Sequence, residues 1–470
     1  MMYKELLPKI DAMIEESDNV LEHDTIKLVN IKSVKSDPKP GAPFGKGPKK
    51  VLDKFMKMGK KRGYYVTDYK VGVVSAAMKQ GLPDLGIWVH GDVVPEGDGW
   101  RFKPYRAKKY KGCIIGRGAT DNKGQLAAVL CLFDIFKKLG IKLNYNPAIY
   151  VGSNEETGML DITGMNGNPD ARGFINVATP PKLSLVPDAG FPMVYGGKGG
   201  ATLFLRSKTP LHCVTVTAGR DDSPGSASAT FASLEIPDSI PDCTVVKDKA
   251  TTISTFTPPR HGSNPDPNGN MITLISRALL SLDALHPSDR YIFEFFEKIS
   301  TDILGECLDI KTEHPELGDL TVFSSGIETV NGYAEIRINI RYPLGITFEK
   351  IVENIEKTTE KVGFMVVRAN KGILPYILDK NSEVVTSLTE ISNEIIGEDK
   401  KPYTIKGGTY AHVLPNAYPY GMNGNLPPDD FPKGRGGAHG IDEAVSVARL
   451  KRAMRIYARA MLKLNEIEWR

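Results

Sequence analysis

Seven residues of the 470-residue chain have the types and settings that could do chemistry: His90, Asp92, Asp121, Glu155, Glu156, Asp188 and His439. Imidazole nitrogen and carboxylate oxygen are what zinc and similar divalent ions take, and a two-ion centre needs a bridging carboxylate. Two histidines with three or four carboxylates suffice for two ions, with positions left open for water. Without cations, that many buried carboxylates would repel one another strongly. If these groups converge, metal ions are all but required. Singly they say little. A His-x-Asp is more often a surface pair, adjacent glutamates are usually a solvated loop, and short motifs carry a high false-positive rate. Jointly, each at the edge of an expected element, they are far more specific.

The surrounding pattern supplies those edges. Leu85-Gly86-Ile87-Trp88-Val89 is an apolar run that reads as a buried strand, and His90-Gly91-Asp92 follows directly. Gly116-Arg117-Gly118-Ala119-Thr120-Asp121-Asn122-Lys123-Gly124 leads into a helical pattern over residues 125–139. There Leu126, Val129, Leu130, Phe133 and Phe136 share one face, and Gly140 is suited to end the helix. Residues 148–152 read as a strand running into Ser153-Asn154-Glu155-Glu156-Thr157-Gly158, and 183–186 as a strand ending at Pro187-Asp188. Upstream, residues 4–21 read as a surface helix, 49–61 as an amphipathic helix and 64–78 as a pair of strands. Strands alternating with helices predict an α/β fold, a mostly parallel sheet flanked by helices. Such sheets place ligands in the crevice beyond their strand ends.

The character changes near Pro192. Short β-like runs and loops reach Pro267, and a helix is expected over 271–282. Two strands follow in 322–342 around the hairpin dipeptide Asn331-Gly332, then a helix over 347–362. This suits a separate α+β domain. The long helical pattern resumes near Ser382, and a last helix is expected over 441–464, just after Gly436-Gly437-Ala438-His439-Gly440. The expected organisation is a discontinuous domain of residues 1–192 and 381–470, interrupted by an inserted domain of 193–380.

Composition narrows the partners. The chain has 41% hydrophobic and 25% charged residues, as a globular protein does. With 60 basic and 56 acidic residues the net charge is +4, too weak to argue for nucleic acid or an anionic membrane. No stretch reads as a signal peptide or a bilayer span. Five scattered cysteines suggest free thiols in a reducing compartment, so the expected location is the cytoplasm.

The motifs H-G-D-V-V-P, G-A-T-D-N-K-G, N-E-E-T-G, P-D-A-G-F-P and A-H-G-I-D-E together resemble the dizinc aminoacylase/carboxypeptidase superfamily. Within it the chain is most similar to the PepV-type dipeptidases, related to the Xaa-His (carnosine-type) dipeptidases. Glu96-Gly97-Asp98-Gly99-Trp100 and Gly407-Gly408-Thr409-Tyr410-Ala411 fit that branch. The resemblance covers nearly the whole chain and implies a catalytic domain with an inserted lid. It implies two divalent ions, zinc by default, with manganese and cobalt sharing these ligands. His90 and Asp188 would bind one ion, Glu156 and His439 the other, and Asp121 would bridge them, followed by a cis peptide to Asn122. Glu155 would be the general base acting on a metal-bridging water, and Asp92 would hydrogen-bond the other nitrogen of His90. From the lid, His261 would serve the oxyanion and Arg341 the substrate carboxylate, while Gly408 and Thr409 would lie along the substrate.

The chain departs from the family pattern in three places. Asn154 stands where Asp is commoner, Asn122 follows Asp121, and Asp221 falls where the lid has a substrate-contacting Asn. Ionised Asp accepts hydrogen bonds only, so Asp221 either reads the free amine of a dipeptide or is simply solvated. The function implied is a metal-dependent dipeptidase acting as a monomer on small peptides. A deacylase of N-acyl amino acids or acyl-diaminopimelate is the alternative within the superfamily. A non-catalytic binding protein on the same fold is the alternative outside it.

Overall fold

The computed structural model describes residues 5–164, 172–218, 226–231, 236–256, 265–422 and 431–469. They form two compact units. The first comprises residues 1–196, 377–403 and 409–470, and the second residues 197–376 and 404–408.

The first unit is α/β. Its six-stranded sheet is built from β1 (Tyr65–Asp68), β2 (Val74–Ala77), β3 (Leu85–His90), β4 (Pro147–Gly152), β5 (Leu183–Val186) and β6 (Ala417–Pro419). Their spatial order is β1-β2-β4-β3-β5-β6. The first two pairings are antiparallel and the remaining three parallel. β3 is buried along its whole length, which is why its sequence is a continuous apolar run rather than an alternation. Trp88 stacks on Tyr150 of β4, with ring centroids 4.3 Å apart.

Register carries the functional consequence. His90 is paired with Gly152, so the chain leaves β3 and β4 at the same edge. Ile87 is paired with Leu185. β5 ends at Val186, and the Asp188 amide donates back to the Val186 carbonyl at 2.7 Å, so Asp188 sits in a turn just past the strand end.

The helix Gly124–Lys138 lies across this sheet. It was expected to bury one face, yet it is buried almost all round, with only Asp134, Lys137 and Lys138 reaching solvent. The reason is that helices pack on its outer side as well: Asp18–Val29 and the C-terminal Val447–Lys463. The N-terminal segment, expected as one helix, is two, Leu7–Glu15 and Asp18–Val29. The Ser17 hydroxyl donates to the Ile14 carbonyl at 2.6 Å where the first one ends. The last helix begins at Val447 rather than near Ile441. Residues Ala444–Ser446 are instead a strand paired with Cys113–Ile115, and the Ser446 hydroxyl accepts from the Arg449 amide to start the helix.

The second unit is α+β. Its eight-stranded sheet is antiparallel throughout. Thr321–Val330 and Tyr333–Tyr342 form its central hairpin, turning through Asn331 and Gly332 at φ of 52° and 83°. Val214–Ala218 alternates buried and exposed positions, as a strand with one solvated face does. Helices Met271–Leu280, Pro287–Thr301 and Phe348–Lys361 cover the other face. Thr347 caps the last of these by accepting from the Lys350 amide at 3.2 Å. The core includes Ile275, Phe293, Phe296, Ile336, Ile338, Ile340 and Ile355. Among the described residues no helix is long and apolar enough to cross a membrane.

Candidate functional site

Beyond the shared edge of β3, β4 and β5, six of the seven groups form one constellation. His90 Nε2 lies 2.9 Å from Asp121 Oδ1 and 3.7 Å from Asp188 Oδ2. His439 Nε2 lies 3.1 Å from Asp121 Oδ2 and 3.0 Å from Glu156 Oε2. Asp121 therefore offers one oxygen to each imidazole. Two groups result, His90/Asp121/Asp188 and Asp121/Glu156/His439, each with ligand-type atoms within 4.8 Å of one another. Glu155 is buried, and its carboxyl feels the charges of Asp188, His90, Glu156 and Asp121. The Asp121-Asn122 peptide bond is cis. The Asn122 amide donates to the Pro187 carbonyl at 2.8 Å and to Asp188 Oδ1 at 3.2 Å, which orients Asp188.

The seventh group, Asp92, acts differently from the expectation. The ring Nδ1–H of His90 donates to the backbone carbonyl of Asp92 at 3.0 Å, while the nearest carboxylate oxygen stands 3.7 Å away. That carboxylate is occupied elsewhere. It accepts the amides of Glu155 at 3.2 Å and Glu156 at 3.1 Å, so it holds the backbone of the glutamate pair.

Further buried groups fix the same loops. Asp161 Oδ2 accepts from the amides of Ser153 (2.7 Å) and Asn154 (3.1 Å) and from the Tyr410 hydroxyl (2.6 Å). The Tyr410 hydroxyl comes so close to Gly152 that a Cβ there would meet it at 1.8 Å, so only glycine fits at the end of β4. Glu443, fully buried, accepts from three amides of the segment ending at Asp121 and pairs with Arg117. Lys123, also fully buried, donates to the Ile31 carbonyl at 2.8 Å, and burial pushes its pKa down to about 7.

Sequence reasoning missed Asp161, Arg117 and Tyr410 as contributors. The one available signal was a charged side chain amid glycines or apolar residues, as in Gly116-Arg117-Gly118 and Leu160-Asp161-Ile162.

The electrostatics describe a centre short of positive charge. Burial, then the neighbouring Asp188, pushes the Glu155 carboxyl well above its usual range. Burial, then Asp121, pushes Asp188 up to about 7. Burial raises Asp121 as well, but the bonds from His439 and His90 outweigh it and hold that carboxyl low.

Donor logic tests whether metal ions suit the site. With Nδ1–H donating to a carbonyl, the neutral His90 ring presents a lone pair at Nε2, directly opposite a carboxylate oxygen. Two acceptors at that distance need a proton or a cation between them. Among the described residues Glu156 Oε1 is buried without a hydrogen-bond partner. Two nitrogens and three carboxylates, one facing both ways, are a donor set that divalent transition ions accept. The residues fit.

The other expected residues lie elsewhere. Arg341 is on the strand Tyr333–Tyr342 of the second unit, paired with Gly200 and Thr321. Gly408 also belongs to the second unit, while Thr409 belongs to the first. Thr409 is buried and its hydroxyl accepts from the Ala411 amide at 3.2 Å, capping a short turn whose last residue is His412. His261 and Asp221 fall outside the described residues.

The second unit holds another grouping of metal-ligand types, His212, His286 and Asp289. Asp289 is fully buried and already accepts the amides of His212 (2.9 Å) and Cys213 (3.0 Å). The two imidazoles stack face to face, centroids 4.0 Å apart, so their in-plane lone pairs run alongside each other rather than converging.

Comparison with known proteins covers the chain almost end to end. The profile of peptidase family M20/M25/M40 matches residues 86–463. A protein of Staphylococcus saprophyticus subsp. saprophyticus, provisionally named a dipeptidase, is 27% identical over an alignment of 497 residues, spanning 97% of this chain and 98% of that one. A counterpart from Staphylococcus epidermidis, also provisionally named a dipeptidase, is 27% identical over 488 residues, spanning 96% and 98%. Among solved structures, human carnosine dipeptidase 1 superposes with a TM-score of 0.58 at 15% identity, over 98% of this chain and 99% of that one. The dipeptidase Dug1p of Saccharomyces cerevisiae gives 0.59 at 14% identity, over 99% and 100%. These two likenesses are of fold.

Proposed function

The chain belongs to peptidase family M20/M25/M40 and is a metallopeptidase, and from that premise we propose that it is a dipeptidase with a two-ion centre. The observation that carries this is Asp121, whose two oxygens face the imidazoles of His90 and His439 while Glu155 lies beside them.

His90, Asp121 and Asp188 would hold one ion, and Asp121, Glu156 and His439 the other. Bound there, the ions would supply Lewis acidity, polarising the scissile carbonyl and acidifying water. The protein's own groups do the rest. Glu155 has a carboxyl raised by burial, so it can take a proton from the attacking water and hand it to the leaving amine. Asp92 keeps Glu155 and Glu156 in place through their amides, so one side chain of the pair can face an ion while the other faces water. Asn122 orients Asp188, and the Asp92 carbonyl sets the tautomer of His90. Both ligand groups come from one chain, which suits a functional monomer.

The test is a panel of free dipeptides, N-acetylated dipeptides and N-acyl amino acids, assayed after chelator treatment and again with zinc, manganese or cobalt. Free dipeptides should be hydrolysed, activity should vanish with the metal, and a divalent ion should restore it. Full turnover by thoroughly metal-free protein would sink the reading. Faster turnover of N-acyl amino acids would replace it with the deacylase.

A further inference from the structure

Arg117 and Glu443 form an ion pair that the hydrolytic chemistry does not use. Arg117 is 1% exposed and Glu443 0%, and Nη1 meets Oε2 at 2.7 Å. Taking two charges out of water costs about as much as their attraction returns, so stability alone is a weak reason to bury such a pair.

What the pair holds gives a better one. Glu443 Oε1 accepts the amides of Thr120 (3.0 Å) and Asp121 (3.1 Å), and Oε2 accepts that of Gly118 (3.0 Å). The Glu443 carbonyl accepts the Gly116 amide at 2.8 Å. The segment that delivers Asp121 is thus fastened along its length to one residue. Arg117 reaches the other way. Its Nη2 donates to the carbonyls of His439 (3.1 Å), Glu96 (3.1 Å) and Pro95 (3.3 Å). His439 sits at φ 60°, a left-handed conformation that side-chain-bearing residues seldom adopt, and its carbonyl is one of those Arg117 gathers. The indole of Trp100 covers the guanidinium at 5.2 Å.

One ion pair therefore fixes the backbone of both Asp121 and His439, whose side chains meet at 3.1 Å. His90, Glu156 and Asp188 are held by other groups, Asp92 and Asn122. We infer that Arg117 and Glu443 are positioning residues for the Asp121/Glu156/His439 group, setting the spacing between Asp121 and His439 and with it the affinity of that half of the centre for its ion. The inference rests on the two-ion reading above.

Arginine is needed because its planar fork serves the carboxylate and three carbonyls together. Lysine keeps the charge and the pairing with Glu443 but cannot span them all. Arg117→Lys is therefore the sharper variant, and Glu443→Gln, which leaves a buried guanidinium unpaired, the harsher one.

Wild type and both variants, stripped of metal, would be dialysed against buffered free zinc and assayed for bound zinc per chain, alongside apo-protein melting and kcat and KM for a dipeptide. Wild type should take two ions. Arg117→Lys should keep the first with wild-type affinity and bind the second about 10–100-fold more weakly, the usual effect of losing a group that supports a ligand. Its kcat should fall at limiting zinc and recover in excess, with KM unchanged. If Arg117→Lys binds both ions as wild type does and only its melting temperature drops, the pair is merely structural and the inference is overturned. A wild-type chain that takes up no zinc sinks the two-ion reading itself, whatever the variants do. If Glu443→Gln does not fold, Arg117→Lys alone decides.

Discussion

Each unit of the molecule gathers two histidines around buried carboxylate, and the two gatherings use the carboxylates in opposite ways. In the second unit Asp289 does every task itself. Its oxygens accept the amides of His212 and Cys213, and its partner His212 lends a ring nitrogen at 3.3 Å. In the first unit the tasks are divided. Asp92, Asp161 and Glu443 accept the amides, while Asp121, Glu156 and Asp188 keep oxygens turned toward imidazole. A list of residue types cannot separate the two cases. What separates them is whether other carboxylates take over the holding of the backbone, because an acceptor already saturated by amides has little left for an ion.

Three substitutions test that contrast, beginning with the largest effect. Glu155→Gln should lower kcat by about 10²–10⁴-fold with little change in KM, because it removes the proton carrier and leaves binding alone. Its zinc content should equal that of wild type. Normal turnover by this variant would strike Glu155 from the mechanism.

Tyr410→Phe probes the groups that only hold. Asp161 would lose its hydroxyl donor; burial pushes its carboxyl up to about 7, and a hydrogen bond is worth about 0.5–1.5 kcal/mol to a neutral partner and about 1.5–3 kcal/mol to a charged one. Urea unfolding should show that loss, and kcat should drop by roughly tenfold as the glutamate loop loosens, an effect at the low end of those seen for supporting groups. Unchanged kcat with reduced stability would make Asp161 and Tyr410 a fold device with no reach into the site.

Asp289→Asn should leave kcat and zinc content untouched. It should cost about 1–3 kcal/mol in unfolding, since one amide of the turn at residues 212–213 would face a donor instead of an acceptor. Lost zinc in this variant would break the contrast, since the second gathering would then be holding metal.

Much of the frame is legible in the sequence. Strands β3, β4 and β5 are short apolar runs, because parallel strands bury both faces; β3 ends on His90, and Glu155 and Asp188 come within three residues of the ends of β4 and β5. The parallel register then brings those strand ends to one edge, where Asp92, Asp161 and Asn122 set in place the residues that follow. Elements were misread where two periodicities overlap. Ala444-Val445-Ser446 continues a helical pattern, yet it is drawn out as a strand by the free edge of Cys113–Ile115. The helix Gly124–Lys138 has a clear apolar face, but the sequence around it does not say that other helices will cover its back. The roles of Arg117, Asp161 and Tyr410 are hard to read for a different reason. Their contribution lies in which groups they meet. Some of those partners sit far off in the chain, as with the Tyr410 hydroxyl against Asp161.

The strand Ala444–Ser446 and the Glu443 beside it also give the centre a place in time. A chain grows from its N-terminus, and domains fold as units while it emerges. His90, Asp121, Glu156 and Asp188 all leave the ribosome before residues 197–376, which make up most of the second unit. Throughout that interval the amides of Gly118, Thr120 and Asp121 lack the carboxylate that fastens them, Asp121 lacks its second imidazole, and Glu156 lacks the imidazole of His439. Only when residues 439–446 arrive can the small sheet close and the acidic groups find their counterparts. On the two-ion reading proposed above, a half-made copy of this peptidase would be inert, and the ability to cut peptides would be among the last things its synthesis confers.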